Sequence, residues 1–190
     1  MADDLPRVTF ESEQAWELWL EANHETSPGL WLQIAKKDSG IPSVTYAQAL
    51  QVALCFGWID GQKGSLDDRY FLQKFTRRRP KSKWSQVNRE HIARLTAEGR
   101  MRPAGQREVD AAKADGRWEA AYAPQSTIEA PADFLAALEA QPAAFAVWSG
   151  LKSAQRYSIL FYIHDAKKPE TRAKRIEKYV AMLSDGKTLN

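Results

Sequence analysis

Between residues 30 and 76 the hydrophobic period of this chain switches from two to about 3.6 and back, which restricts it to folds that interleave strands and helices around one sheet. Leu30, Leu32 and Ile34 alternate with Trp31, Gln33 and Ala35, the pattern of a strand buried on one face. Ala49, Leu50, Ala53 and Leu54 then recur at helical spacing behind Thr45-x-x-Gln48, a capping-box pattern, and Gly57 suits the residue that ends such a helix. From Arg69 to Thr76 the alternation returns, with Tyr70 and Leu72 opposed to Phe71, Gln73 and Phe75. Trp58-Ile59-Asp60, followed by a turn at Gly61-Gln62-Lys63-Gly64, supplies the other arm of a hairpin.

Helical spacing accounts for the rest. Ser12 caps a helix that presents Trp16, Trp19 and Leu20 on one face and ends before Ser27-Pro28-Gly29. Pro80 and its charged neighbours form a loop, and Ser82 or Ser85 caps a helix with Val87, His91 and Leu95 as its apolar face. Ala104–Ala114 is a further helix, followed by a linker containing Pro124 and Pro131. Phe134, Leu135 and Leu138, then Phe145 and Trp148, mark two short helices. Tyr157–Ile163 is apolar nearly all round, as expected of the central helix of a small bundle, and a last helix from Pro169 buries Ile176, Tyr179, Val180 and Leu183. The expected fold is α+β and mostly helical, with a small antiparallel sheet of about three to four strands in the N-terminal half and a helical bundle at the C-terminus. Residues 1–120 form the α+β domain, including a basic, aromatic segment at 57–88, and residues 131–190 form the helical one.

At 190 residues the chain has enough length for one large core or two small ones. A net charge of +3 is too mild to imply nucleic acid by itself, but the charge is unevenly spread. Lys74 to Asn88 holds six basic residues and no acid, whereas the first 25 residues hold seven acids and one arginine. Seven tryptophans must either fill the core or be displayed. Cys55, the single cysteine, excludes an intramolecular disulfide and lies in the apolar stretch Val52–Phe56, where a thiol is buried and inert. The start, Met-Ala-Asp-Asp-Leu-Pro, has neither the basic nor the apolar region of a secretion signal. No apolar run approaches the roughly 20 residues that cross a bilayer. A cytoplasmic location without membrane insertion is the expectation.

The segment Phe75–Asn88 carries the most chemistry. Arg78, Lys81 and Lys83 bring forked and point-charge donors to the start of a helix, whose own amide groups favour anions. Ser82, Ser85 and Asn88 add hydrogen-bond donors, Lys63 lies in the preceding turn, and Trp58 or Trp84 offers a surface for stacking on a base or sugar. The same residues also suit a solvated loop that caps a helix and shields a sheet edge, with Trp84 stapling it to the core. Asp60 fits a general base, a cation ligand, a turn residue or the partner of a loop arginine. With Asp67 and Asp68 it offers only carboxylates, at a spacing unlike that of a calcium loop. His24, His91 and His164 are too scattered in sequence for a zinc motif, so no metal or cofactor is expected. The absence of G-x-S-x-G, Walker and G-x-G-x-x-G motifs excludes the families they define. Arg172 and Arg175 form a second basic cluster at a helix start, or simply a solvated face.

Several blocks resemble the YdeI/OmpD-associated family, also described as bacteriocin-protection proteins. They are Gly29-Leu-Trp-Leu with Lys36-Lys37; Tyr46 through Ala53-Leu-Cys-Phe-Gly-Trp-Ile-Asp-Gly61; Phe75-Thr to Ser82-x-Trp-Ser-x-x-Asn88; Gly99-Arg-Met-x-Pro-Ala-Gly105; and Ala166-Lys-Lys-x-Glu-Thr-Arg-x-x-Arg-Ile176. Arg77 stands where the family pattern has proline, which leaves Arg78 as the matching basic residue. The resemblance implies a link to bacteriocin or peptide-antibiotic tolerance, a stress response, and to an outer-membrane porin; it implies no reaction. From the residues, three functions are open. The first is a protein that binds an anionic partner, a phosphate-bearing metabolite or nucleic acid, at Gly57–Asn88. The second is an enzyme with Asp60 as acid/base and Arg78 stabilising negative charge. The third is an interaction module that docks a protein partner through the C-terminal helices.

Overall fold

The alternating stretch Leu30–Ala35 forms a strand, β2, with Leu30, Leu32 and Ile34 buried. In the computed structural model, which describes residues 5–189, it lies between β1 (Arg7–Val8) and β4 (Tyr70–Arg77), and β3 (Trp58–Ser65) completes the sheet in the order β1-β2-β4-β3. Met1–Asp4, part of the acidic start and of the stretch considered as a secretion signal, fall outside the described residues. β2 and β3 both run antiparallel to β4, but β1 pairs parallel to β2, so the sheet is mixed rather than antiparallel. Two residues are too few to show a period, which is why β1 leaves no signal in the sequence.

The turn expected at Gly61–Gly64 is also corrected. Those residues remain in β3, where a bulge between Asp60 and Lys63 interrupts the alternation. The amide of Gln73, buried on β4, donates to the carbonyls of Gly61 at 2.9 Å and Gln62 at 3.3 Å, which gives the irregular backbone a partner. The hairpin turns beyond Ser65, where Asp67 Oδ1 accepts from the N–H groups of Arg69 and Tyr70, both at 2.8 Å. Those two bonds hold the Asp67 carboxyl below its usual range.

Two compact units emerge. The first comprises the chain to Trp84 together with Asn88–Ala121, and the second comprises Ser85–Val87 with the chain from Tyr122 onward. In the first, α1 (Glu13–Asn23) is capped by Ser12, whose Oγ accepts from Ala15 N, and α2 (Tyr46–Cys55) by the Thr45/Gln48 capping box. Trp16 of α1 and Trp58 of β3 are fully buried and pack with Phe10, Trp19 and Phe75. The indole N–H groups of these two have acceptors, Trp16 donating to Ala49 O and Trp58 to His24 O, both at 3.1 Å. None of the seven tryptophans is exposed. α3 (Gln86–Ala97) buries Asn88, Ile92 and Leu95 instead of the expected Val87, His91 and Leu95; Val87 is exposed and His91 half-buried. α4 (Pro103–Ala114) crosses α2 closely because Gly105 has no side chain.

The second unit packs α5 (Ala132–Glu139), α6 (Pro142–Gly150), α7 (Ser153–His164) and α8 (Pro169–Ser184) around Phe134, Leu138, Trp148, Ile159, Ile163 and Leu183. α8 buries Ile176, Tyr179, Val180 and Leu183, as its spacing predicts. α7 is not enclosed all round: Ile159, Leu160 and Ile163 face the core while Tyr162 is 47% exposed. An aromatic at the surface of an apolar run defeats a reading based on hydrophobicity alone.

Candidate functional site

Gly57 ends α2 in the left-handed conformation, φ +73°, and turns the chain directly into β3. Its carbonyl accepts the N–H of Arg78 at 3.0 Å, which fixes the end of β4 beside the end of α2. α4 runs over this junction, and the C-terminal end of α1 delivers His24 and Glu25 to it. Together they enclose a cleft of about 370 Å³ lined by His24, Glu25, Phe56, Arg77, Arg78 and Arg107, with Gly57, Ala104 and Glu108 completing the wall. Arg77 Nη1 donates to Glu25 O at 2.9 Å and Arg107 Nη2 lies 3.3 Å from Glu25 Oε1. His24 Nδ1 lies 2.9 Å from Leu20 O, which makes that nitrogen the donor and leaves Nε2 3.7 Å from Glu25 Oε1.

The residues singled out in the sequence are distributed differently from expectation. Arg78 is 6% exposed, its guanidinium 3.5 Å from the centroid of the Trp84 ring, and its Nη1 donates to Lys83 O at 3.2 Å. A desolvated cation over an indole contributes about 2 kcal/mol, so Arg78 both fastens its own loop and lines the cleft. Trp84 and Trp58 are 1% and 0% exposed, and neither ring is presented for stacking on a ligand. Trp84 also meets Trp118 edge-on at 4.9 Å. Ser82 closes the Pro80–Lys81 turn by accepting Arg79 N at 3.0 Å, and its carbonyl accepts from Arg117. Lys81 and Lys83 are exposed and do not line the cleft. Lys63 Nζ lies 4.6 Å from the centre of the Phe71 ring. Asp60 accepts from the Tyr46 hydroxyl at 2.8 Å in place of the expected loop arginine. In the second unit Ser85 bridges to Tyr122. Asn88, in the first unit, is buried on α3. Arg172 forks onto Asp133 at 2.6 and 2.8 Å, while Arg175 binds Tyr162 O and faces Asp165 at 3.7 Å. Those two arginines tie α8 to α5 and α7.

His24, Glu25, Phe56, Arg77, Arg107 and Glu108 line the cleft without being among the site residues expected from the sequence. One signal pointed towards them: the acids of the N-terminal 25 residues need cations, and the structure supplies Arg100 to Glu13 at 2.5 Å, Arg102 to Glu17 and Glu21 at 3.1 and 3.3 Å, and Arg107 to Glu25. Among the described residues, no three His, Cys, Asp or Glu side chains gather as a metal site, and no helix is long and apolar enough to cross a membrane. A second hollow, of about 490 Å³, lies between residues 34–46 and Phe71 and has no arginine in its lining.

Fold and cleft together define a two-unit α+β protein whose first unit presents guanidinium groups to a small cavity. Residues 8–108, just over half of the chain, match the family model described as a domain of unknown function, DUF8412, and residues 127–186 match the model described as Bacteriocin-protection, YdeI or OmpD-Associated. The chain thus belongs to the DUF8412 domain family and carries a YdeI/OmpD-associated domain behind it. No curated protein and no solved structure matches it.

Proposed function

We propose that the first unit is a binding module for small anions, with the Arg77–Arg78–Arg107 cleft as its site. The observation that carries this is that Arg77 and Arg78, from the end of β4, and Arg107, from α4, line one cavity of about 370 Å³, with the guanidinium groups of Arg77 and Arg107 both held at Glu25 while that of Arg78 lies over Trp84. Guanidinium forks match the oxygens of carboxylate and phosphate. Arg107 and Glu25 are 65% and 68% exposed, and a pair that exposed contributes at most about 1 kcal/mol, so an incoming anion displaces Glu25 readily. The interior position of Trp58 and Trp84 favours a small anion over single-stranded nucleic acid, which needs accessible rings to stack on.

Isothermal titration at low salt with inorganic phosphate and small carboxylates tests the reading. Binding is expected, and Arg107→Ala weakens it about tenfold or more, because a hydrogen bond to a charged group contributes roughly 1.5–3 kcal/mol. Arg94→Ala, an exposed residue of α3 outside the cleft, stays at wild-type affinity. Equal affinities for the two variants sink the proposal. The description matched by the second domain suggests the physiological setting: cells lacking the protein become more sensitive to a bacteriocin, and wild type, but not Arg107→Ala, restores tolerance.

A further inference from the structure

The cleft wall also carries a half-buried carboxylate. Glu108 on α4 is half-buried in its wall, its Cγ 3.0 Å from where a Cβ on Gly57 would stand. Glu13, Glu17, Glu21 and Glu25 each face an arginine, and the described acids of this unit that lack a hydrogen-bond or ion-pair partner elsewhere, Glu11, Asp38, Asp68 and Glu90, are exposed to water. Among the described residues Glu108 has neither a hydrogen bond nor an ion pair from any side chain, although three arginines line the same cavity. A carboxylate there repels a simple anion, since like charges a few ångströms apart disfavour each other. It attracts an ammonium group. Phe56, 3% exposed, adds an apolar wall, and the cavity falls within the size range of small-molecule sites, about 300–1,000 Å³.

We infer that the cleft takes an amphoteric ligand of the free α-amino acid class. The ligand carboxylate lies on the guanidinium groups of Arg77 and Arg107, and its α-ammonium donates to Glu108. This rests on the anion-site reading and narrows it from any small anion to one that carries a positive group beside the negative one.

The test titrates the full chain with free L-amino acids one at a time, with the N-acetyl derivative of each that binds, and with inorganic phosphate. Wild type, Glu108→Gln, Glu108→Asp and Arg107→Ala are compared. At least one free amino acid is expected to bind, and N-acetylation, which removes the ammonium and keeps the carboxylate, weakens it about tenfold or more. Glu108→Gln weakens the free amino acid by a similar factor and leaves unchanged or tightens phosphate and the N-acetyl form; Glu108→Asp keeps part of the affinity. A melting curve for each variant establishes that it folds. An N-acetyl derivative that binds as tightly as its parent, or a Glu108→Gln variant that strengthens every ligand, overturns the inference and leaves the anion site standing. So does binding of phosphate without any amino acid, provided Arg107→Ala abolishes it. If neither phosphate nor any amino acid binds, both the inference and the site are wrong.

Discussion

Replacing Gly105 with alanine tests the contact on which the cleft depends. A Cβ at that position would lie 2.2 Å from Cys55 O and 2.7 Å from both Cys55 C and Leu54 O. All three are backbone atoms of the end of α2, and ordinary contact begins near 3.4 Å, so the two helices must part by on the order of 1 Å. In an open helix the same change stabilises by about 0.5–1 kcal/mol, because alanine loses less backbone freedom on folding. Overpacking in a closed site costs about 1–3 kcal/mol, and here no flexible side chain is available to yield. The Cys55 carbonyl also accepts Arg102 N at 3.2 Å, and that bond is strained by the same displacement. The expected net loss is roughly 1–3 kcal/mol, which for a domain of about 100 residues lowers Tm by about 5–15 °C. Tryptophan fluorescence reads it, since Trp16 and Trp58 report on this core. Under the proposed function anion affinity falls in parallel, because Ala104, Arg107 and Glu108 move with α4. A melting temperature unchanged or raised would show that α4 does not lie against α2 as described.

Gly150, at the end of α6, is the converse case: a Cβ there meets nothing within 4 Å, so Gly150→Ala raises stability by about 0.5–1 kcal/mol in chemical denaturation, and a loss would contradict the open site. Burial pushes the Cys55 thiol up to about 11, with Arg100 opposing, so a disulfide reagent at pH 8 modifies the native protein no faster than the protein opens. The unfolded thiol ionises near 8.5, so the stability owed to protonated Cys55 is intact below that pH and lost as pH rises toward 11; Cys55→Ala should flatten that decline, and a mutant curve parallel to wild type would refute it. Arg172 holds the Asp133 carboxyl below its usual range, so the contribution of this pair is present above the unfolded carboxylate pKa of about 3.9 and fades as pH falls below it. With side chains 26% and 48% exposed, a double-mutant cycle at pH 7 should give no more than about 1 kcal/mol, and a coupling that persisted at pH 2 would contradict its ionic origin.

The elements that hydrophobic period could reveal were those long enough to repeat. β2, α2 with its capping box, and the buried face of α8 all follow from residues whose neighbours in sequence are also their neighbours on one face. β1 was too short, and the Gly61–Gly64 stretch failed because a bulge and two glycines imitate a turn when the strand opposite is not known. On α3 the error was one of phase. Asn88 is buried there and Val87 is not, so the first two turns of the buried face lie one position along from the Val87, His91 spacing.

The cleft was obscured for an electrostatic reason. Glu13, Glu17 and Glu21 stand four residues apart on α1, with Glu25 just beyond its end, and like charges at that spacing destabilise a helix by roughly 0.2–0.5 kcal/mol per pair. Such a stripe requires cations from elsewhere in the chain. The densest basic run lies at 74–88, and read locally it suggests a surface for a ligand. The structure instead answers the stripe with Arg100, Arg102 and Arg107, and turns Arg78 inward onto Trp84. Along that ladder the pairs loosen towards the cleft: Arg100 meets Glu13 at 2.5 Å with both side chains about one-third exposed, whereas Arg107 meets Glu25 at 3.3 Å with both about two-thirds exposed. Of these three arginines the one paired with the most solvated acid, Arg107, is therefore the one that lines the cavity, and under the proposed function a ligand carboxylate competes there with Glu25.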